Sequence, residues 1–89
     1  MNKSMLNILA CPMDKNYPLE LHGIREKGEV ITEGILFCNK CLRFYPIIEE
    51  IPIMLPDELR DKKLEVEFLK NHKDKLPQKI ISSSNPWHL

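Results

Sequence analysis

The sequence predicts an α+β domain: a small antiparallel sheet with a short helix at its amino end and a longer helix towards its carboxyl end. Three observations predict it. Two runs rich in β-branched and aromatic residues, 30–37 and 44–55, flank a Cys38-Asn39-Lys40-Cys41 turn. Leu64, Phe68, Leu69, His72 and Leu76 fall within a roughly 140° arc of a helical wheel, wide enough to cover one side of a small sheet. A length of 89 residues suits one domain and leaves little room for a buried catalytic cleft.

Met5, Leu6, Ile8 and Leu9 have helix-like spacing, and Ser4 is the expected cap of a brief helix leading into Cys11. The chain turns between Pro12 and Pro18. Leu19, Leu21 and Ile24 then begin a strand that ends at Glu26-Lys27-Gly28-Glu29. Val30-Ile31-Thr32 and, after an expected break at Gly34, Ile35-Leu36-Phe37 form the return strand of a hairpin. Residues 44–55 read as two short strands around Glu49-Glu50, and Pro46 and Pro52, lacking amide donors, assign both strands to the rim of the sheet. Asp57-Glu58 open a helical pattern that Lys70, Lys73 and Lys75 close and Pro77 stops. Residues 82–89 read as linker-like until Pro86-Trp87. The expected organisation is one domain over residues 1–81 and a tail over 82–89, with no internal repeat.

Thirteen Lys and Arg balance thirteen Asp and Glu, so no net positive field favours unaided binding of a polyphosphate. Six of the cations precede Pro56 and seven follow it, each set matched by a similar number of acids. With 43% apolar and 29% charged residues the chain has a globular composition. Its longest apolar run, 51–55, is far too short to span a bilayer, and residues 1–10 are too polar for a signal peptide, so a cytoplasmic protein is expected. Three cysteines cannot all pair within one chain, which leaves metal ligation or free thiols.

The strongest constellation is Cys11-Pro12-Met13-Asp14 followed, across the hairpin, by Cys38-Asn39-Lys40-Cys41. Two tight turns of this kind can aim four ligands at one point, the layout of a zinc ribbon, with Asp14 where a cysteine would be expected. The candidate ligands are therefore Cys11, Asp14, Cys38 and Cys41, with His22 as a spare. Such a zinc is structural, because four protein ligands leave no position open for substrate. The alternative is a chain without metal in which the thiols only pack. A redox role for Cys38 and Cys41 is disfavoured, since β-like sequence rather than a helix start follows them. His22, His72 and His88 have no nucleophile or carboxylate at diagnostic spacing, and no glycine-rich phosphate loop or G-x-S-x-G elbow occurs. Catalysis is not indicated. Phe44, Tyr45, Pro46, Ile47, Ile48, Ile51, Pro52, Ile53 and Met54 supply more apolar side chains than one buried sheet face needs. They are covered by the flanking helices or by a partner pairing with an edge strand. Trp87, beyond the Ser-rich segment, is either a dock onto its own domain or an interface anchor.

Taken in order, Ile-Leu-Ala-Cys-Pro at 8–12, the C-x-x-C turn at 38–41, Arg-Phe-Tyr-Pro-Ile at 43–47 and Ile-Pro-Ile-Met-Leu at 51–55 resemble the methyltransferase-activator subunits of the tRNA methyltransferase 112 type. The short single-domain archaeal form is the nearest match, over residues 5–60. The resemblance implies a zinc-ribbon-like sheet with flanking helices and no enzymatic activity of its own. It implies a heterodimer with S-adenosylmethionine-dependent methyltransferases that act on tRNA and on translation release factor. By the same resemblance the zinc positions fall at Cys11, Asp14, Cys38 and Cys41, and the partner-binding run at Phe44, Pro46, Ile47, Ile51, Pro52, Ile53 and Met54, with Trp87 as a further contact. A stand-alone nucleic-acid-binding ribbon and a small metal or redox carrier are the rival classes.

Overall fold

The computed structural model describes residues 1–89. Four strands, β1 (Glu20–Lys27), β2 (Val30–Phe37), β3 (Phe44–Ile48) and β4 (Ile51–Pro52), form one antiparallel sheet in the order β1-β2-β3-β4. Gly28, at φ 62°, makes the first hairpin turn, where a Cβ would be strained. Glu49 and Glu50 make the second with φ of 49° and 69°, the double left-handed turn that matches the twist of a hairpin.

Alternation along β2 from Ile35 onward and along β3 divides the core in two, while Ile31, before a shift in β2, joins the face of Leu36. Ile31, Leu36, Cys38, Tyr45 and Ile47 point to one face, which the amino-terminal residues Met1, Met5, Leu6 and Leu9 cover. Ile35, Phe37 and Phe44 point to the other face, under Phe68, Leu69, Leu76 and Ile80. These come from α1 (Lys62–His72) and α2 (Gln78–Ser83). Both sheet faces are thus closed within the chain.

Several local expectations are corrected. The amino-terminal helix is a 3-10 segment, Lys3–Asn7, and its cap is Asn2, whose side chain accepts from the Ser4 N–H. Gly34 does not break β2. It faces Gly23 across the ladder, and a Cβ there would lie 2.8 Å from the His22 carbonyl oxygen, so glycine permits a close approach of two strands. β3 is an inner strand despite Pro46, because Pro46 pairs with Ile35 on β2 while its carbonyl accepts from Ile53 N–H on the opposite side. The missing donor therefore faces the sparsely paired edge rather than β2.

The carboxyl-proximal helix is also broken into parts. A 3-10 turn, Asp57–Leu59, precedes an extended Arg60, and Asp61 caps α1 through the Leu64 N–H. Arg60 leaves the helix because it is buried: it reaches the Glu65 carboxylate 2.7 Å away and donates to the Phe44 carbonyl. Leu64, expected on the inner face, is exposed, and Glu65 is inside. Residues 82–89 are no linker. Ser82 and Ser83 complete α2, Ser84 is fully buried, and Asn85 forms a parallel bridge with Arg43. No helix is long and apolar enough to cross a membrane.

Candidate functional site

The two turns that carry the candidate ligands are built alike, hydrogen bond for hydrogen bond. In the first, Cys11 N–H donates to the Asn16 carbonyl (2.9 Å) and Lys15 N–H donates to the Cys11 carbonyl (2.8 Å). In the second, Cys38 N–H donates to the Arg43 carbonyl (2.8 Å) and Leu42 N–H donates to the Cys38 carbonyl (2.8 Å). Lys15 and Leu42, each following the last ligand of its turn, both take a left-handed conformation, with φ of 65° and 64°. Asp14 therefore stands where Cys41 stands in the other turn, as the spacing predicts.

The ligand atoms of Cys11, Asp14, Cys38 and Cys41 all lie within 4.8 Å of one another. Cys11 Sγ is 3.6 Å from Cys41 Sγ, and Cys38 Sγ is 3.5 Å from Asp14 Oδ2. Tetrahedral ligands at about 2.3 Å from a zinc ion are separated by about 3.8 Å, so this donor set fits a four-coordinate metal. His22 takes no part; it lies on β1 beside the Glu20 carboxylate. His72 pairs with Glu33 at 3.1 Å, and His88 Nδ1 lies 3.1 Å from the Ser84 carbonyl oxygen, so neither faces the cluster.

The surroundings favour anionic ligands. The Asn16 backbone N–H, 2.9 Å from Asp14 Oδ1, is the main cause that holds Asp14 down to about 2, with hydrogen bonds from the three thiols adding to it against an opposing push from burial. Asp14 is thus a carboxylate at neutral pH. Asn16 Nδ2 lies 3.6 Å from Cys38 Sγ, and the Tyr45 hydroxyl lies 3.0 Å from Cys11 Sγ. Burial, and then the neighbouring Cys11 sulfur, push the Tyr45 phenol up, so it remains a neutral group able to donate to a thiolate. The sequence places Tyr45 only in the apolar run and does not point to Asn16 or to either residue as a neighbour of the cluster. Tyr45 could have been found from strand alternation, which puts it on the face of Cys38.

The expected partner-binding run divides by exposure. Phe44, Pro46 and Ile47 are buried in this chain and present no side-chain surface, because β3 is inner and both its faces are covered. Ile51 on β4 is 59% exposed, and Pro52, Ile53 and Met54 are partly exposed. Leu42, at the tip of the second turn, is 41% exposed and adds an apolar residue that pattern reading missed. Trp87 docks on its own chain, over the Arg60 guanidinium at 5.7 Å.

The two sheet edges differ. β1 carries Glu20, Arg25, Glu26 and Lys27 and has irregular register between Gly23 and Glu26, the charge and bulge that discourage strand addition. The β3/β4 edge is apolar and short.

Residues 2–50 match the model of the Trm112p-like protein family. A UPF0434 protein of Rhodopseudomonas palustris (strain BisB18) is 41% identical over 59 residues, 66% of this chain and 76% of the relative. A UPF0434 protein of Nitrobacter winogradskyi is 45% identical over 56 residues, 63% of this chain and 71% of the relative. Among solved structures, the chain is similar to one from the complex between the Trm112 methyltransferase activator of Haloferax volcanii and a protein assigned as a methyltransferase. That match has a TM-score of 0.64 and 38% identity and covers 67% of this chain and 100% of the other. The UPF0434 relatives are bacterial, so the likeness is not to an archaeal form in particular. With residues 2–50 matched by the family and the fold shared with a Trm112 chain, this protein belongs to the Trm112p-like family.

Proposed function

We propose that this chain is a non-catalytic activating and stabilising subunit of S-adenosylmethionine-dependent methyltransferases, which it binds as a heterodimer in the cytoplasm. The observation that carries the reading is the likeness, over the whole length of that chain, to an activator solved together with a methyltransferase. Following the family resemblance, the partners act on tRNA and on translation release factor. The partner meets the β3/β4 edge, where Ile51, Pro52, Ile53 and Met54 keep exposed surface, and a strand of its own sheet pairs there. The charged and irregular β1 edge supports this choice by being the poorer template.

The expected action is thermodynamic. Covering an exposed apolar edge of the partner removes area from water and draws its folded population up by mass action. About 600 Å² of apolar area would contribute on the order of 15 kcal/mol before association costs. A zinc ion held by Cys11, Asp14, Cys38 and Cys41 acts as a structural pin: it ties the amino-terminal turn to the turn that starts β3.

Co-expression with each methyltransferase of the same genome tests the reading. At least one partner is expected to be soluble and active only with this chain, and Ile51→Asp is expected to abolish its retention. Equal solubility and activity of every methyltransferase without the chain overturns it.

A further inference from the structure

We infer that residues 84–89 are a displaceable strap laid over the strand edge that a partner would use. The inference rests on the edge-pairing reading above.

Every outward backbone group along β3 that could receive a strand is already taken within the chain. The Leu42 carbonyl accepts from Asn85 N–H at 2.7 Å, Phe44 N–H donates to the Asn85 carbonyl at 3.2 Å, and Asn85 Nδ2 donates to the Cys41 carbonyl at 3.0 Å. The Phe44 carbonyl accepts from Arg60, and the Pro46 carbonyl from Ile53 N–H at 2.9 Å. The bridge between Asn85 and Arg43 is parallel, whereas every pair inside the sheet is antiparallel. The tail thus occupies this edge as a one-residue stand-in for a parallel strand. A longer strand from another protein would form the same two backbone bonds and could do so only after Asn85 leaves.

The seat of the strap is imperfect. By strict hydrogen-bond geometry two buried side-chain nitrogens, Trp87 Nε1 and Arg60 Nη1, go unmet, and both belong to the contact that holds the tail. The Trp87 indole still lies near enough to the Glu65 carboxylate to oppose, with Arg60, the upward push that burial gives its pKa, so its contact there is a poor one. A buried donor left unmet works against the state that buries it. Removal of the strap uncovers one margin of this core face, because Trp87 packs against it. The seven buried members of the cluster, Ile35, Phe37, Phe44, Phe68, Leu69, Leu76 and Ile80, all lie outside residues 84–89 and keep one another covered. The opening is therefore local rather than global.

The match to the Haloferax activator leaves a third of this chain without a counterpart, since 67% of it accounts for all of that chain. The family match, for its part, spans residues 2–50 and does not include the tail. A device that sets affinity can differ in this segment while the binding edge is shared.

Two measurements test the strap. In the full chain without partner, amide exchange is expected to be faster at Asn85 and Phe44 than at Leu36 and Tyr45 in the inner ladder; equal protection overturns the proposal. With the methyltransferase retained in the co-expression test, titration calorimetry is expected to give about tenfold tighter binding by Trp87→Ala, because the open fraction rises. Asn85→Pro, which removes the N–H that reaches Leu42, carries the same expectation should Trp87→Ala melt below the working temperature. Unchanged or weaker binding by the variants overturns the strap and leaves the activator reading standing. If neither wild type nor variant retains any methyltransferase, the activator reading falls and takes the strap with it.

Discussion

Arg60→Met should be among the most damaging single substitutions outside the candidate metal cluster. Arg60 is buried, bonds the Glu65 carboxylate through Nε at 2.9 Å and Nη2 at 2.7 Å, and donates to the Phe44 carbonyl. Its guanidinium also lies 5.0 Å from the Phe44 ring centroid and 4.9 Å from that of Tyr45. Removing one partner of a buried ion pair costs about 3–5 kcal/mol, because the other charge stays buried alone. The lost carbonyl partner and ring contacts overlap with that figure, so about 4 kcal/mol is expected at pH 7. That is a large share of the roughly 5–15 kcal/mol of a small domain and corresponds to a fall in Tm of about 15–30 °C.

The loss should depend on pH with a definite sign. Burial already pushes the Glu65 carboxyl above 4.5, opposed by its bonds to Arg60. Without Arg60 the folded-state value rises further. A carboxyl whose folded pKa is raised favours the folded state below its unfolded value and loses that contribution as pH climbs through the folded value. The variant should therefore approach wild type in acid and diverge from it towards neutrality. Arg60→Met/Glu65→Leu, which removes both charges, should recover most of the stability. Urea unfolding from pH 4 to 8 provides the assay. A neutral-pH loss under about 1 kcal/mol, or a double variant no better than the single one, refutes the argument.

Three further outcomes are expected. Asp14→Cys should raise zinc affinity by at least tenfold and Asp14→Ala should lower it, read by competition with a chromophoric chelator, because thiolate is the softer ligand for this ion. Arg43 and Asp57 form a two-pronged pair, Nε to Oδ1 at 2.9 Å and Nη2 to Oδ2 at 2.7 Å, that lowers the Asp57 pKa from 3.8. Its contribution is fully present above that value and lost as pH falls through the lower folded one, so Asp57→Asn should cost about 0.5–1 kcal/mol near neutrality and flatten the acid limb of a stability profile. Gly34→Ala would push a methyl to 2.8 Å from the His22 carbonyl oxygen and 3.1 Å from Ile31 Cγ2, and should cost about 1–3 kcal/mol by denaturant titration.

Much of this molecule was legible because its chemistry is local. The C-x-x-C spacing and its C-x-x-D counterpart fix two turns whose backbone bonds close within a few residues, so the gathering of the four candidate ligand atoms follows from the spacing. The apolar periodicity of residues 64–76 likewise pointed to a helical cover over the sheet. Long-range contacts were the harder part. Arg60 reads as an ordinary surface cation after Asp57-Glu58, and nothing in the pattern says that it will turn inward, break the helix and meet Glu65. The serines of 82–84 resemble a linker by composition, yet Ser84 Oγ donates to the Ile80 carbonyl at 2.6 Å and lies buried. Pro46 suggested a rim strand, since sequence reveals the missing donor but not the side on which it falls.

The candidate metal cluster and the proposed pairing edge share one turn. Cys38, Cys41, Leu42 and Arg43 make the turn that delivers the chain into β3. The carbonyls of Cys41 and Leu42 are also the acceptors that Asn85 uses at the edge. Left-handed Leu42 holds its carbonyl outward only while that turn keeps its shape, and a non-glycine residue there stores strain that a pinned turn can hold. A metal bridging Cys11 and Asp14 to this turn would stiffen the acceptors without touching a partner. Because both sheet faces are closed, the surface left for the proposed partner lies at edges and loop tips, and β1 carries charge along its edge. On the proposed reading, a metal would contribute to binding through the rigidity of β3's first residues, and the tail through occupancy of the same residues.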